Sequence, residues 1–241
     1  MIELVKVIKR YGRSYALDSV SLKVSPGEAF ALLGPNGAGK TSIIRILLGF
    51  TKADAGVAKV NSISVKSKHS RVGVGYLPEV VRFPGHLDAP AFLRRTAALK
   101  CKGTDINAQI MPLLEKTGLG GKEKQKIGSY SKGMMQRLGL ASALLCGTRL
   151  LILDEPTAGL DPIRTRELRL ILQELKDRGI TILVNSHMLS EVERLCDSAA
   201  ILNRGKVLAA GRLTEIIGKD ESLEDAFIKY VNSDRSRGEG S

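Results

Sequence analysis

The sequence predicts an α/β fold: a parallel sheet with antiparallel β additions and an inserted helical subdomain. Three observations predict it. Short apolar runs alternate with stretches whose apolar residues recur at helical spacing, as in a parallel sheet covered by helices. A glycine-rich loop at residues 34–41 joins one such run to one such stripe. Between residues 88 and 118 the pattern is helical, with no strong strand.

The elements follow in order. Leu4, Val5 and Val7 suggest a first strand, and Val20, Leu22 and Val24 a second. Pro26-Gly27 marks a turn. Residues 29–33, AFALL, read as a buried strand ending at Gly34. Ile43, Ile44, Leu47 and Leu48 recur at helical spacing, so a helix starts near Lys40. Residues 57–65 and 72–77 read as further strands. After Pro78 the helical region presents Phe92, Leu93, Leu99, Ile110, Leu113 and Leu114. Met134, Leu138, Ala141 and Leu145 then share one face of another helix.

Alternation returns with a strand at 150–153, a helical stripe of Leu168, Ile171, Leu172 and Leu175, a strand at 180–184 and a short helix at 189–195. Asn203-Arg204-Gly205 is a hairpin turn inside 199–208, and a last helix covers 223–231. The terminal DRSRGEGS has the composition of a disordered tail. The reading is one domain over 1–218, with the helical subdomain at approximately 80–145, then a C-terminal helix and tail over 219–241. No internal repeat is present.

The chain has 241 residues, 43% of them hydrophobic but only 4% aromatic and none Trp, so the core is aliphatic. No run approaches the roughly 18–20 apolar residues that span a bilayer. No charged-then-apolar leader opens the chain. A soluble, cytoplasmic protein is expected. Cys101, Cys146 and Cys196 are odd in number and lack metal-ligand spacing, so neither a disulfide nor a zinc site is expected. The formal charge of +12 attracts nucleic acid, anionic lipid or nucleotides. Its basic residues are spread rather than blocked, as on a solvated positive face.

Gly34-Pro35-Asn36-Gly37-Ala38-Gly39-Lys40-Thr41 fits GxxxxGK[ST]. Glycines let successive N–H groups point at phosphate oxygens, and the helix that follows adds partial positive charge. Lys40 can reach the β- and γ-phosphates, the Thr41 hydroxyl can ligate Mg²⁺, and Ser42 can donate to the α-phosphate. The loop makes a nucleotide with Mg²⁺ the expected ligand; that the nucleotide is ATP follows only from the resemblance described below. Asp154 and Glu155 end the apolar run LLILDEP, expected at the same sheet edge as the glycine loop. Adjacent carboxylates need work or partners. Asp154 would hold a water on Mg²⁺, and Glu155 would orient and activate the attacking water. The plain alternative is that both cap the next turn.

Residues 129–162, SYSKGMMQRLGLASALLCGTRLLILDEPTAGLDP, combine a small glycine-containing turn, an apolar helix and this carboxylate strand. The stretch resembles the signature motif, Walker B and D-loop of ABC-type ATPases, in that family's order. With the glycine loop, nearly the whole chain resembles an ABC transporter ATP-binding subunit, which implies a P-loop NTPase core. Tyr11 sits where the family has its adenine-stacking aromatic, and His187, after Ser186, where it has its switch histidine. Asp161 matches the D-loop aspartate, and on its own could be a helix N-cap before Pro162. His69 and His86 match nothing and read as surface residues.

Two positions depart from the family pattern. The usual LSGGQ is here Tyr130-Ser131-Lys132-Gly133-Met134. Ser131 and Gly133, the groups that resemblance assigns to the other subunit's γ-phosphate, remain. The variant, and the end formed by Ser222, Leu223, Glu224 and Phe227, resemble the branch that works with ABC-2-type export permeases. At the Q-loop position stands Glu79, whose carboxylate can approach Mg²⁺ or its waters.

The resemblance implies an ATP-hydrolysing subunit that powers a membrane exporter through head-to-tail dimerisation. Its expected partners are a permease on a separate chain and a second ATPase subunit, a homodimer or a mixed pair. It would be peripheral on the cytoplasmic face of the cell membrane, with no nucleic acid expected. The runner-up is a soluble ABC ATPase acting on nucleic acid or ribosomes, which the charge motivates but no tandem domain or zinc-ligand cysteines support. A third reading is a nucleotide-dependent regulator that does not hydrolyse.

Overall fold

A computed structural model of the chain describes residues 1–101 and 106–238. Its elements begin with β1 (Ile2–Tyr11), β2 (Ser14–Val24), β3 (Ala29–Leu33), α1 (Lys40–Leu47), β4 (Ala55–Val60) and β5 (Ile63–Ser64). Next come β6 (Val74–Leu77), α2 (Ala89–Lys100), α3 (Asn107–Lys116), α4 (Lys132–Leu144), β7 (Leu150–Asp154) and α5 (Pro162–Asp177). The chain continues through β8 (Thr181–Asn185), α6 (Leu189–Leu195), β9 (Ser198–Asn203), β10 (Lys206–Arg212), α7 (Leu213–Ile216) and α8 (Leu223–Gly238). They form two compact units, one of residues 1–72 and 181–241, the other of residues 73–180.

The first unit holds two sheets. In one, β2, β1, β4 and β5 are antiparallel neighbours in that order. In the other, β8, β3 and β9 run parallel and β10 joins β9 antiparallel. Every residue of β3, β8 and β9 is buried, so their centres are apolar runs rather than alternating ones, with polar residues only at the ends of β8 and β9. Ile43, Ile44, Ile46 and Leu47 seal α1 into this core. Each such side chain contributes about 1.5–3 kcal/mol of burial free energy.

The strand expected over 57–65 is instead a hairpin. Asn61 and Ser62 both have positive φ, 53° and 63°, between the paired Val60 and Ile63. A two-residue turn with both residues left-handed matches the strand twist, and asparagine tolerates that region. The final helix also runs beyond the apolar pattern that ends at Val231, through residues 234–238 of the expected tail. Residues 239–241 of that tail lie outside the described residues.

In the second unit β6 and β7 are parallel neighbours. Helices α2, α3 and α4 share a core that includes Leu93, Ala97, Ile110, Leu114, Leu138, Ala141 and Leu145. Met134 packs against it, as the helical face read from sequence requires. Helix α2 starts where Asp88 Oδ1 accepts the Ala91 N–H at 2.9 Å. Close packing of α4 on β6 depends on glycine, since a Cβ at Gly75 would run into the Ala143 carbonyl.

Contrary to the reading from cysteine count, Cys101 and Cys146 form a disulfide. Cys101 caps the C-terminus of α2 and Cys146 follows the end of α4, bringing their Cα atoms to 5.5 Å across 45 residues. Helix ends meeting over one core leave no spacing signal in the sequence. Cys196 is buried and lies outside the disulfide. Non-reducing peptide mapping should recover a Cys101–Cys146 pair, with Cys196 labelled only after unfolding. Free alkylation of Cys101 and Cys146 in the native protein would refute the bridge. A 45-residue loop corresponds to about 4 kcal/mol in the chain-entropy model. Cys146→Ser should therefore lower unfolding free energy by about 2–4 kcal/mol in denaturant titration.

Candidate functional site

The residues singled out from sequence divide between the two units. In the first, β3 delivers the chain to Gly34, whose φ of 152° and closeness to the Leu202 carbonyl admit no side chain. Gly39, at φ 109°, precedes α1. A Cβ there would lie 2.5 Å from the Ala16 carbonyl oxygen and 2.7 Å from Leu17 Cδ2. The loop therefore turns tightly into α1, whose first N–H groups lack intrahelical partners by construction. Lys40 is buried, and its ammonium donates to the Gly34 and Pro35 carbonyls at 2.5 and 3.0 Å. Asn36, Gly37 and Thr41 are exposed, Ser42 is half-buried, and Ala38 is buried.

The loop has a brace that sequence reading missed. The Gly205 N–H donates to the Ala38 carbonyl at 3.1 Å, and its carbonyl accepts the Asp18 N–H at 2.8 Å. The β9–β10 turn, legible only as a turn, is thus bonded to the loop between β3 and α1. β3 and β8 are parallel with Leu32 opposite Asn185. His187 consequently leaves the same sheet edge as the glycine loop. It is exposed, after a buried Ser186 whose Oγ accepts the Met188 N–H at 3.1 Å. Tyr11 ends β1 and is 48% exposed as a residue.

In the second unit Leu77 of β6 lies opposite Leu153 of β7. Glu79 and Glu155 each follow two residues later, so they leave one edge of this strand pair together with Asp154. Asp154 is buried and Glu79 exposed. Glu155 has φ 50°, the left-handed region that non-glycine residues enter at a cost.

Gln136 is the functional neighbour that the sequence reading missed. It is 3% exposed on α4, and its Nε2 donates to the Pro156 carbonyl at 2.9 Å, tying α4 to the carboxylate turn. A polar residue on the buried face of an apolar helix was the available signal. At the start of the same helix Ser131 is the N-cap, its Oγ accepting the Met134 N–H at 3.4 Å. A Cβ on the buried Gly133 would lie 3.2 Å from Arg164 Cδ, and the Lys132 ammonium sits against Gly159. Asp161 caps α5 through the Arg164 N–H at 2.9 Å, so the plain capping alternative describes its own contact.

Beside Glu79 lies a cavity of about 580 Å³ lined by Tyr76, Val80, Val81, Phe83 and Gly139 among others, with Val80 64% exposed. Among the described residues no three His, Cys, Asp or Glu side chains cluster to hold a metal by themselves.

Comparisons with known proteins agree with this architecture. The sequence model of the ABC transporter family matches residues 17–158, more than half of the chain. The chain is 35% identical over 239 residues to the lantibiotic transport ATP-binding protein SrtF of Streptococcus pyogenes, covering 98% of this chain and 100% of that one. It is 40% identical over 211 residues to the bacitracin transport ATP-binding protein BcrA of Bacillus licheniformis, covering 86% and 68%. An uncharacterized ABC transporter ATP-binding protein of Synechocystis is 41% identical over 212 residues, covering 87% and 60%. The chain thus spans about three fifths of that relative's length. A solved ATP-binding subunit of an ABC transporter superposes with TM-score 0.87 at 29% identity, over 96% of this chain and 99% of that one. On the family match and these relatives, the chain belongs to the ABC transporter family as one of its ATP-binding proteins.

Proposed function

We propose that this chain binds and hydrolyses ATP to power a membrane exporter whose permease is a separate chain. The observation that carries the reading is the glycine loop, closed tightly onto the N-terminus of α1 with Lys40 inside it. Such a loop presents N–H donors and one ammonium to a polyphosphate. Relatives named for lantibiotic and bacitracin transport, the first matched over its full length, favour export over action on nucleic acid or ribosomes.

In this reading Tyr11 stacks on adenine, and the loop from Gly34 to Thr41, through the N–H groups of its residues other than Pro35, holds the phosphates with Lys40 and Ser42. Thr41, Asp154 and Glu79 carry hard oxygen donors of the kind Mg²⁺ prefers and would hold the ion directly or through its waters. It would supply charge neutralisation to the phosphates. Glu155 orients and activates the attacking water, and His187 contacts the γ-phosphate. Ser131 and Gly133 complete the site of a second copy, so two chains enclose two nucleotides head to tail. The cavity beside Glu79 receives a cytoplasmic segment of the permease, at the cytoplasmic face of the membrane. Among the described residues no helix is long and apolar enough to cross a bilayer.

Glu155→Gln keeps shape and removes the base. Turnover measured by phosphate release should fall about 10²–10⁴-fold, while size-exclusion chromatography with ATP shows an accumulating dimer. Rapid hydrolysis by this variant would sink the role given to Glu155. Gln136→Leu should leave the buried Pro156 carbonyl without its donor. Denaturant titration should register a loss of about 1–3 kcal/mol, and turnover should drop with ATP affinity held. Unchanged turnover would show that the α4–carboxylate tie is structural only.

A further inference from the structure

On one side the end of β1 pairs with β2, Tyr11 lying opposite Ser14; on the other it is held by a single aspartate. Asp54 stands just before β4, and the β1–β4 ladder stops at the Ile8–Ala55 pair. Beyond that pair Asp54 takes over. Its N–H donates to the Ile8 carbonyl at 2.8 Å. Its Oδ2 accepts the Arg10 N–H at 2.7 Å, and its Oδ1 meets the Lys9 ammonium at 2.9 Å. Three consecutive residues preceding Tyr11 are thus bonded to one aspartate.

Lys9 carries the contact onward. Its ammonium lies over the Tyr11 ring, 5.4 Å from the centroid, within the range of a cation–π attraction. Its side chain is only 12% exposed, so it is confined rather than free in solvent. The neighbouring aromatic, Tyr15, is covered differently: the Arg10 guanidinium stacks 4.1 Å from its centroid. The hydrogen bond from Lys9, then that from the Arg10 N–H, holds the Asp54 carboxyl below the usual carboxylate range, so it stays ionised at neutral pH.

We propose that Asp54 is a positioning residue for nucleotide binding: through Lys9 and the Arg10 N–H it fixes the Tyr11 ring as a platform for the adenine base. With the ammonium held over one face of the ring, the opposite face is left for a planar base. The proposal rests on the reading of Tyr11 as the adenine contact, so the experiment separates the two.

Calorimetric titration compares a non-hydrolysable ATP analogue with inorganic tripolyphosphate, which lacks the base. The proteins are wild type, Tyr11→Ala, Asp54→Asn, Asp54→Glu and the Tyr11→Ala/Asp54→Asn double variant. Asparagine keeps an acceptor for the Arg10 N–H and removes only the charge facing Lys9. Asp54→Asn should weaken the analogue about two- to fivefold, the scale of an exposed cation–π contact, and leave tripolyphosphate unchanged. Asp54→Glu should restore part of the loss, and the double variant should bind no more weakly than Tyr11→Ala. Wild-type affinity in Tyr11→Ala would overturn the Tyr11 reading and the proposal with it. A weakened Tyr11→Ala beside an unaffected Asp54→Asn would overturn the proposal alone. So would additive losses, or equal losses for analogue and tripolyphosphate, which mark a merely structural role.

Discussion

The contact on which the first unit turns is the approach of Gly39 to the Ala16 carbonyl. No side chain fits there, and a φ of 109° disfavours any residue but glycine. The glycine lets the loop after β3 press against β2 and enter α1 without a capping side chain. Everything else at this edge is arranged around that entry. Gly205 bonds the loop from the β9–β10 turn, Lys40 fills its interior, and His187 leaves the neighbouring strand end. A rigid loop of this kind presents donors that need no reorganisation, the condition under which electrostatic stabilisation is most effective.

The second unit has a different logic. Its carboxylates follow a fully buried strand, but their turn is not held by that strand alone. Gln136 reaches it from α4, the helix that Ser131 caps. Ser131 and the carboxylate turn are therefore two ends of one rigid connection: Ser131 begins the helix and Gln136, five residues on, bonds to Pro156. The disulfide between Cys101 and Cys146 fixes the far end of that helix to α2. Displacement of the Ser131 end would be transmitted to the turn through packed side chains and a buried hydrogen bond, not through a flexible loop.

Much of this was legible in the sequence, for identifiable reasons. Buried strands such as AFALL read correctly because three or more aliphatic residues in a row have few other uses. The glycine loop, the carboxylate pair and the turn at Ser131 are local patterns, each written in consecutive residues. What escaped depends on distant partners. Asp54 acts on residues 8–10, about 45 positions away, and nothing in ADAG announces it. Gln136 is a polar residue in an apolar helix, and its partner, the Pro156 carbonyl, lies twenty residues on. The Cys101–Cys146 bridge spans 45 residues and contradicted a reading based on count alone. The Asn61-Ser62 turn was hidden for another reason: β-formers on both sides masked a two-residue reversal whose signal is backbone conformation.

Glu155 shows how the two kinds of information meet. Its identity was legible and its backbone was not. A glutamate at φ 50° is less stable than glycine there, by about 1–2 kcal/mol for a left-handed residue. The surroundings hold it in that state: Asp154 is locked in β7, the Ala158 N–H closes a turn on the Glu155 carbonyl at 3.1 Å, and Gln136 anchors the next carbonyl. Glycine would relax the backbone but carry no carboxylate, and an extended conformation would redirect the side chain. The strained conformation is thus the one that lets a carboxylate leave the strand end immediately after Asp154 while the chain reverses into Pro156. Stability and carboxylate placement make opposite demands at this residue, and the surrounding hydrogen bonds decide in favour of placement.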